Sequence, residues 1–114
     1  MKINKFEDIQ AWMKAKELTL TVYRTFRLNK DFAFRDQIQR ASVSIMNNIA
    51  EGFERQTDRE FKQFLFIAKG SAAEVRSMLY LADELQMINK TEFQQLNNLA
   101  SETSKILSGL IKTL

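Results

Sequence analysis

Gln37, Arg40, Ser44, Asn47, Asn48, Glu51 and Arg55 recur at three- and four-residue steps, so on a helix they form one polar row. Amides, a hydroxyl and both signs of charge along one line are groups that make specified hydrogen bonds and ion pairs. A surface helix needed only for solubility would scatter Lys and Glu there instead. Catalysis finds less to work with. The 114-residue chain has neither Cys nor His, which removes thiol nucleophiles, thiolate metal sites, His-containing triads, the usual zinc sites and the Glu-x-x-His ligands of di-iron bundles. No acidic pair recurs on a common helical face beside a nucleophile. Gly52, Gly70 and Gly109 stand too far apart for a phosphate-binding loop. The inventory points to binding or assembly, with no enzyme activity and no cofactor expected.

A helix must position that row, and the apolar spacing supplies one. Ile38, Ala41, Ser42, Ile45, Ile49 and Gly52 trace a buried helical face beside the polar residues. The whole chain has no Pro and three Gly, which removes the punctuation of strands and hairpins, while 45% hydrophobic content suffices for one packed core. The reading is a single all-α domain over residues 1–114, an antiparallel up-and-down four-helix bundle with helices at about 8–26, 31–54, 58–86 and 90–112. Thr57-x-x-Glu60 and Asn89-x-x-Glu92 read as capping boxes opening the third and fourth helices. On the first helix, Ile9, Trp12, Ala15, Thr19, Val22, Tyr23 and Phe26 trace the inward side. Lys16 falls inside that arc, either with its stem packed and its ammonium at the rim or as an inward ion-pair donor. The fourth helix carries a long stripe from Phe93 through Leu96, Leu99, Thr103 and Leu107 to Leu114. No apolar run approaches the roughly 20 residues of a membrane span, and residues 1–8 lack a signal-peptide core, so a cytoplasmic protein off the membrane is expected.

If the second and third helices form an antiparallel hairpin, positions whose numbers add to about 114 face each other. Ser44 then meets Gly70, where two small residues would let the backbones approach. Arg40 meets Glu74, predicting a poorly solvated ion pair, with Gln37, Ser44, Asn48 and Ser71 available for the remaining donors and acceptors. These two helices also carry more apolar surface than one core absorbs. Val43, Met46, Ala50 and Phe53 lie on another side of the second helix, and Phe66, Ala73 and Tyr80 lie outside the main stripe of the third. Such surface predicts a homo-oligomer, with Val43, Met46, Phe53, Phe66 and Tyr80 at the contact.

Net charge is +3, from 17 Lys and Arg against 14 Asp and Glu. The excess lies before residue 29, where Lys2, Lys5, Lys14, Lys16, Arg24 and Arg27 oppose Glu7, Asp8 and Glu17. Gln10, Lys14, Thr21 and Arg24 share an exposed side of the first helix, with Arg27 and Arg35 near the connection that follows. Lys14, Arg24, Arg27 and Arg35 are therefore the candidate contacts to nucleic-acid phosphates, multiplied if a ring repeats them; the alternative is an ordinary solvated basic face. With no recognition helix or aromatic strand motif in the sequence, contact would rest on backbone charge and shape. A protein-binding scaffold without nucleic acid is the other reading.

Gln37, Arg40-Ala41, Ser44-Ile45, Asn48-Ile49-Ala50-Glu51-Gly52-Phe53 and Arg55 together resemble the signature of the four-helix-bundle 23S rRNA intervening sequence proteins. Phe61, Phe64-Leu65, Ile67-Ala68, Gly70-Ser71 and Glu74 resemble that family's Phe-rich helix, and Phe6, Ile9, Trp12, Ala15, Leu18 and Tyr23 its opening helix. Met46 departs from the pattern, since the family usually has proline there. The resemblance implies a ring of five bundles around a central opening. It also implies a non-enzymatic, RNA- or DNA-binding scaffold, because members are encoded within intervening sequences of large-subunit rRNA genes. Relatives that serve diversity-generating retroelements as accessory proteins imply a reverse transcriptase as a further partner.

Overall fold

The computed structural model describes residues 3–114; Lys2, counted among the N-terminal bases, lies outside the described residues. A single 3₁₀ turn, Phe6–Asp8, leads into α1 (Gln10–Phe26), followed by α2 (Phe32–Phe53), α3 (Asp58–Glu84) and α4 (Lys90–Lys112). The first helix starts later than the sequence reading has it, because Ile9 is extended (φ −76°, ψ 123°) and separates the turn from α1. Met46 sits inside an uninterrupted α2.

Local chemistry explains where the helices begin and stop. Asp31 accepts the Phe34 N–H at 3.1 Å to open α2. Asn89 accepts the Glu92 N–H at 2.8 Å while Glu92 takes the Asn89 N–H at 2.9 Å, the reciprocal capping box expected for α4. At α3 the expected reciprocity is altered. Thr57 accepts the Glu60 N–H at 3.1 Å, but its hydroxyl also donates to the Glu60 carboxylate at 3.1 Å, a bond that the acceptor oxygen of Asn89 cannot make. The end of α3 is a Schellman closure: Met87 N–H reaches Ala82 O at 2.9 Å and Gln86 N–H reaches Asp83 O at 3.0 Å, with Gln86 at φ 58°.

The helices pack in cyclic order, α1 against α2 and α4, and α3 against α2 and α4. Among the described residues no Cα of α1 lies within 8 Å of one in α3, so these two helices occupy diagonal corners. Leu18, Val22, Phe26, Ile38, Ile45, Ile49, Leu65, Val75, Leu79, Leu96 and Leu107 are fully buried between them. Each such side chain contributes about 1.5–3 kcal/mol relative to an exposed one, which is what draws four marginal helices together. Thr19, predicted to face inward, is buried with its hydroxyl within reach of Ala15 O (2.8 Å) and Ser42 O (3.1 Å), tying α1 to α2. Tyr23 corrects the inward arc of α1: the residue is 43% exposed, while Leu18, beyond the opposite flank of that arc, is fully buried. Lys16 is exposed with its ammonium 5.5 Å from the Trp12 ring, so it snorkels at the rim and is not an inward donor.

Candidate functional site

The polar row lies along α2 between α1 and α3, and part of it bonds across the α2–α3 seam. Ser44 Oγ and Ser71 Oγ are 2.9 Å apart. The Asn48 amide donates back to Ser44 O at 2.8 Å and Ser44 Oγ at 3.0 Å, fixing the hydroxyl for its partner on α3. Gln37 donates to Glu74 at 3.3 Å. The expected Arg40–Glu74 pair is replaced by this contact: among the described residues no ion pair includes either side chain, and both Arg40 and Glu74 are exposed at the rim. The register is as the hairpin argument requires, but Glu74 meets the row one turn nearer the start of α2. Water at that rim leaves Arg40 little reason to give up its own solvation.

Close backbone approach also shifts position. Gly70, expected to meet Ser44, faces open space, and a Cβ there would touch nothing within 4 Å. The tight glycine is Gly52, where a Cβ would meet Phe64 Cβ at 2.6 Å and Phe61 Cδ1 at 3.0 Å. Arg55 covers the same spot from outside, its guanidinium 4.7 Å from the Phe64 ring.

The rest of the row faces outward. Tyr23, Arg40, Ser44, Asn47, Asn48 and Glu51 line an open groove of about 400 Å³ between α1 and α2. Glu51 also borders a second hollow, of about 420 Å³, with Phe6, Glu54 and Arg55. Cation, amides and carboxylate in one groove can accept and donate along its length. Among the described residues no group of three or more acidic side chains gathers as ligands for a metal ion.

The four candidate phosphate contacts differ in electrostatic state. Lys14 pairs with Glu17 at 3.4 Å and Glu102 of α4 at 3.3 Å. The hydrogen bond that Lys14 donates to Glu102, then the charge of Glu17, raises its pKa above the ordinary lysine value, and the two carboxylates offset its charge toward solvent. Arg35 pairs with Asp36 at 3.4 Å and lies 4.8 Å from the Phe32 ring. Arg24 and Arg27 are exposed, and no ion pair among the described residues includes them. Arg24 and Arg27 therefore keep their full charge toward solvent, where Lys14 and Arg35 do not.

Residues 7–109 match the family described as 23S rRNA-intervening sequence protein. The chain belongs to that family. A family relative by fold is a protein of unknown function from the S23 ribosomal protein family of Bacteroides thetaiotaomicron VPI-5482. Its crystal structure is similar with a TM-score of 0.84 at 28% identity, covering 90% of this chain and 98% of that one. No curated protein matches.

In this 23S rRNA-intervening sequence protein the uncovered apolar surface lies mostly off α2. Met46 and Phe53 pack against their own core, with the Phe53 ring edge-on to Phe61 at 5.9 Å, because α1 and α3 flank α2 on both sides. Val43 is half-buried in the groove wall. Phe66 and Tyr80 are more than half exposed, although Tyr80 leans on Phe93 at 5.3 Å. Ile67, Leu81 and Leu85 extend that stripe along α3, and Met13, Leu20 and Tyr23 form another on α1. Sequence reasoning missed this second stripe. Met13 and Leu20 stand seven residues apart, the spacing that would have revealed it.

Proposed function

We propose that the protein is a non-catalytic subunit of a homo-oligomeric ring, of five copies by the resemblance set out above, that holds nucleic acid through backbone charge. Its role on this reading is that of an accessory or rRNA-intervening-sequence protein, with a reverse transcriptase as the further partner the resemblance implies. The observation that carries the assembly is the diagonal placement of two unlike apolar stripes, Met13–Leu20–Tyr23 on α1 and Phe66–Ile67–Tyr80–Leu81 on α3. A two-fold dimer would bury one stripe against itself and leave the other wet. Joining the α1 stripe of one copy to the α3 stripe of the next covers both, and head-to-tail contacts of that kind close into rings. Arg24 and Arg27 lie beside the α1 stripe, so a ring repeats their charge.

Size-exclusion chromatography with light scattering, run with and without RNA, tests both parts. The expected mass is several times the 13.3 kDa of one chain, and it rises on adding RNA at low salt. Replacing Arg24 and Arg27 together by Gln weakens retention and makes its salt dependence shallower, by a slope of about 0.7 to 0.9 for each phosphate no longer engaged. Lys14→Gln does less, since Glu17 and Glu102 already neutralise that ammonium. A 13.3 kDa species removes the ring. Retention indifferent to the two arginines removes the proposed phosphate site. The second reading, a protein-binding scaffold without nucleic acid, draws support from the groove at Arg40, Asn47 and Glu51, whose opposed charges suit a peptide as well as a polyanion.

A further inference from the structure

Phe32 stands outside the packed core of the bundle. It is the first residue of α2, after the Asp31 cap, in a Phe-Ala-Phe run whose last member alone is buried. Phe34 enters the core and packs on Phe26 at 5.7 Å, whereas Phe32 stays 59% exposed. Arg35, one turn on, lays its guanidinium 4.8 Å from the Phe32 ring centre, and Asp36 holds that guanidinium through Nε at 3.4 Å. The result is a flat aromatic surface backed by a cation. Leu28, at the same turn between α1 and α2, is 80% exposed.

Along the chain through this turn the charge is predominantly positive. Arg24, Arg27, Lys30 and Arg35 stand against Asp31 and Asp36 between residues 24 and 36. Both acids are engaged, Asp31 by the Phe34 amide at 3.1 Å and Asp36 by Arg35, while no ion pair among the described residues includes Arg24, Arg27 or Lys30. Cations that attract a phosphate backbone, next to an aromatic face that accepts an unstacked base, are the two elements of single-strand recognition. A duplex uses the first and conceals its base faces from the second. Two apolar side chains on a turn are also too little for membrane insertion, which relies on the apolar side of a whole amphipathic helix.

We infer that the α1–α2 turn is a single-strand-selective nucleic-acid site in which Phe32, held flat by Arg35, stacks an exposed base while Arg24, Arg27 and Lys30 engage the neighbouring phosphates. This rests on the nucleic-acid reading above and adds the class of strand. The test is fluorescence anisotropy with a labelled oligothymidine and a blunt duplex of equal length, on the full chain in low salt. Wild type is expected to prefer the single strand. Phe32→Ala lowers single-strand affinity by roughly 5- to 150-fold, the worth of one stacked base, and abolishes the preference. Phe32→Trp restores it, and Arg24→Gln with Arg27→Gln weakens both substrates in parallel. If wild type binds both strands and Phe32→Ala leaves their ratio unchanged, the stacking site is overturned while the broader nucleic-acid reading stands. Binding to neither strand, or binding to phosphatidylserine vesicles in place of both, overturns the two together.

Discussion

A Cβ added at Gly52 would lie 2.6 Å from Phe64 Cβ, an atom too close to the α3 backbone to swing aside. Gly52→Ala gains about 1 kcal/mol of helix propensity but incurs an overpacking cost of about 1–3 kcal/mol, so a net loss of up to about 2 kcal/mol is expected. Gly70→Ala meets nothing and should gain about 1 kcal/mol in a lone subunit. Urea midpoints at matched protein concentration check both signs; a Gly52→Ala protein more stable than wild type would show that Phe64 yields freely. Loss of stability at Gly70 in an assembled form would mean that another copy packs on α3 there. The sequence made both glycines conspicuous but could not tell them apart, because which one is crowded depends on the rotation of α2 against α3. The same rotation decides that Gln37, and not Arg40, reaches Glu74. Ser44, Asn48 and Ser71 were legible because their spacing puts them on the seam under any nearby rotation.

At the scale of elements, the starts of α3 and α4 were readable, whereas the start of α1 and the stop of α3 were not. Asn89 and Thr57 announce themselves through a Glu three residues on, a rule contained within one turn. The close of α3 carries no such sign, since Gln86 takes the left-handed conformation that Gly usually holds. Met87 and Ile88 explain the choice, for both fold back onto the core, with Ile88 7% exposed, and the chain must reverse at Gln86 to bring them there. A left-handed non-glycine residue costs about 1–2 kcal/mol. Part of that is offset in Gly by its greater unfolded freedom, so Gln86→Gly is expected to raise stability by about 0.5–1 kcal/mol. A melting temperature a few degrees above wild type would register it, and an unchanged one would mean the conformation carries no strain.

Over the whole molecule, the all-helical architecture follows from composition and periodicity, whereas the location of uncovered apolar surface does not. Met46 and Phe53 looked surplus on α2, yet a helix with neighbours on both flanks buries more of its circumference than a lone helical wheel implies. Leu20 and Ile67 look like core residues in isolation and are left outside by the way the corners turn. The fourth seam, between α1 and α4, also brings distant parts of the chain together: Ile3 and Leu114 border one hollow of about 480 Å³ at the end of the bundle where α2 hands over to α3. The backbone is thus almost a closed loop. Splicing residue 114 to residue 3 through a short flexible linker, and opening new ends between Arg55 and Gln56, should give a circular permutant with the same helical circular dichroism and a cooperative melt. A permutant that stays molten would mean that the bundle depends on the order in which its helices are joined, and not on the seams between them alone.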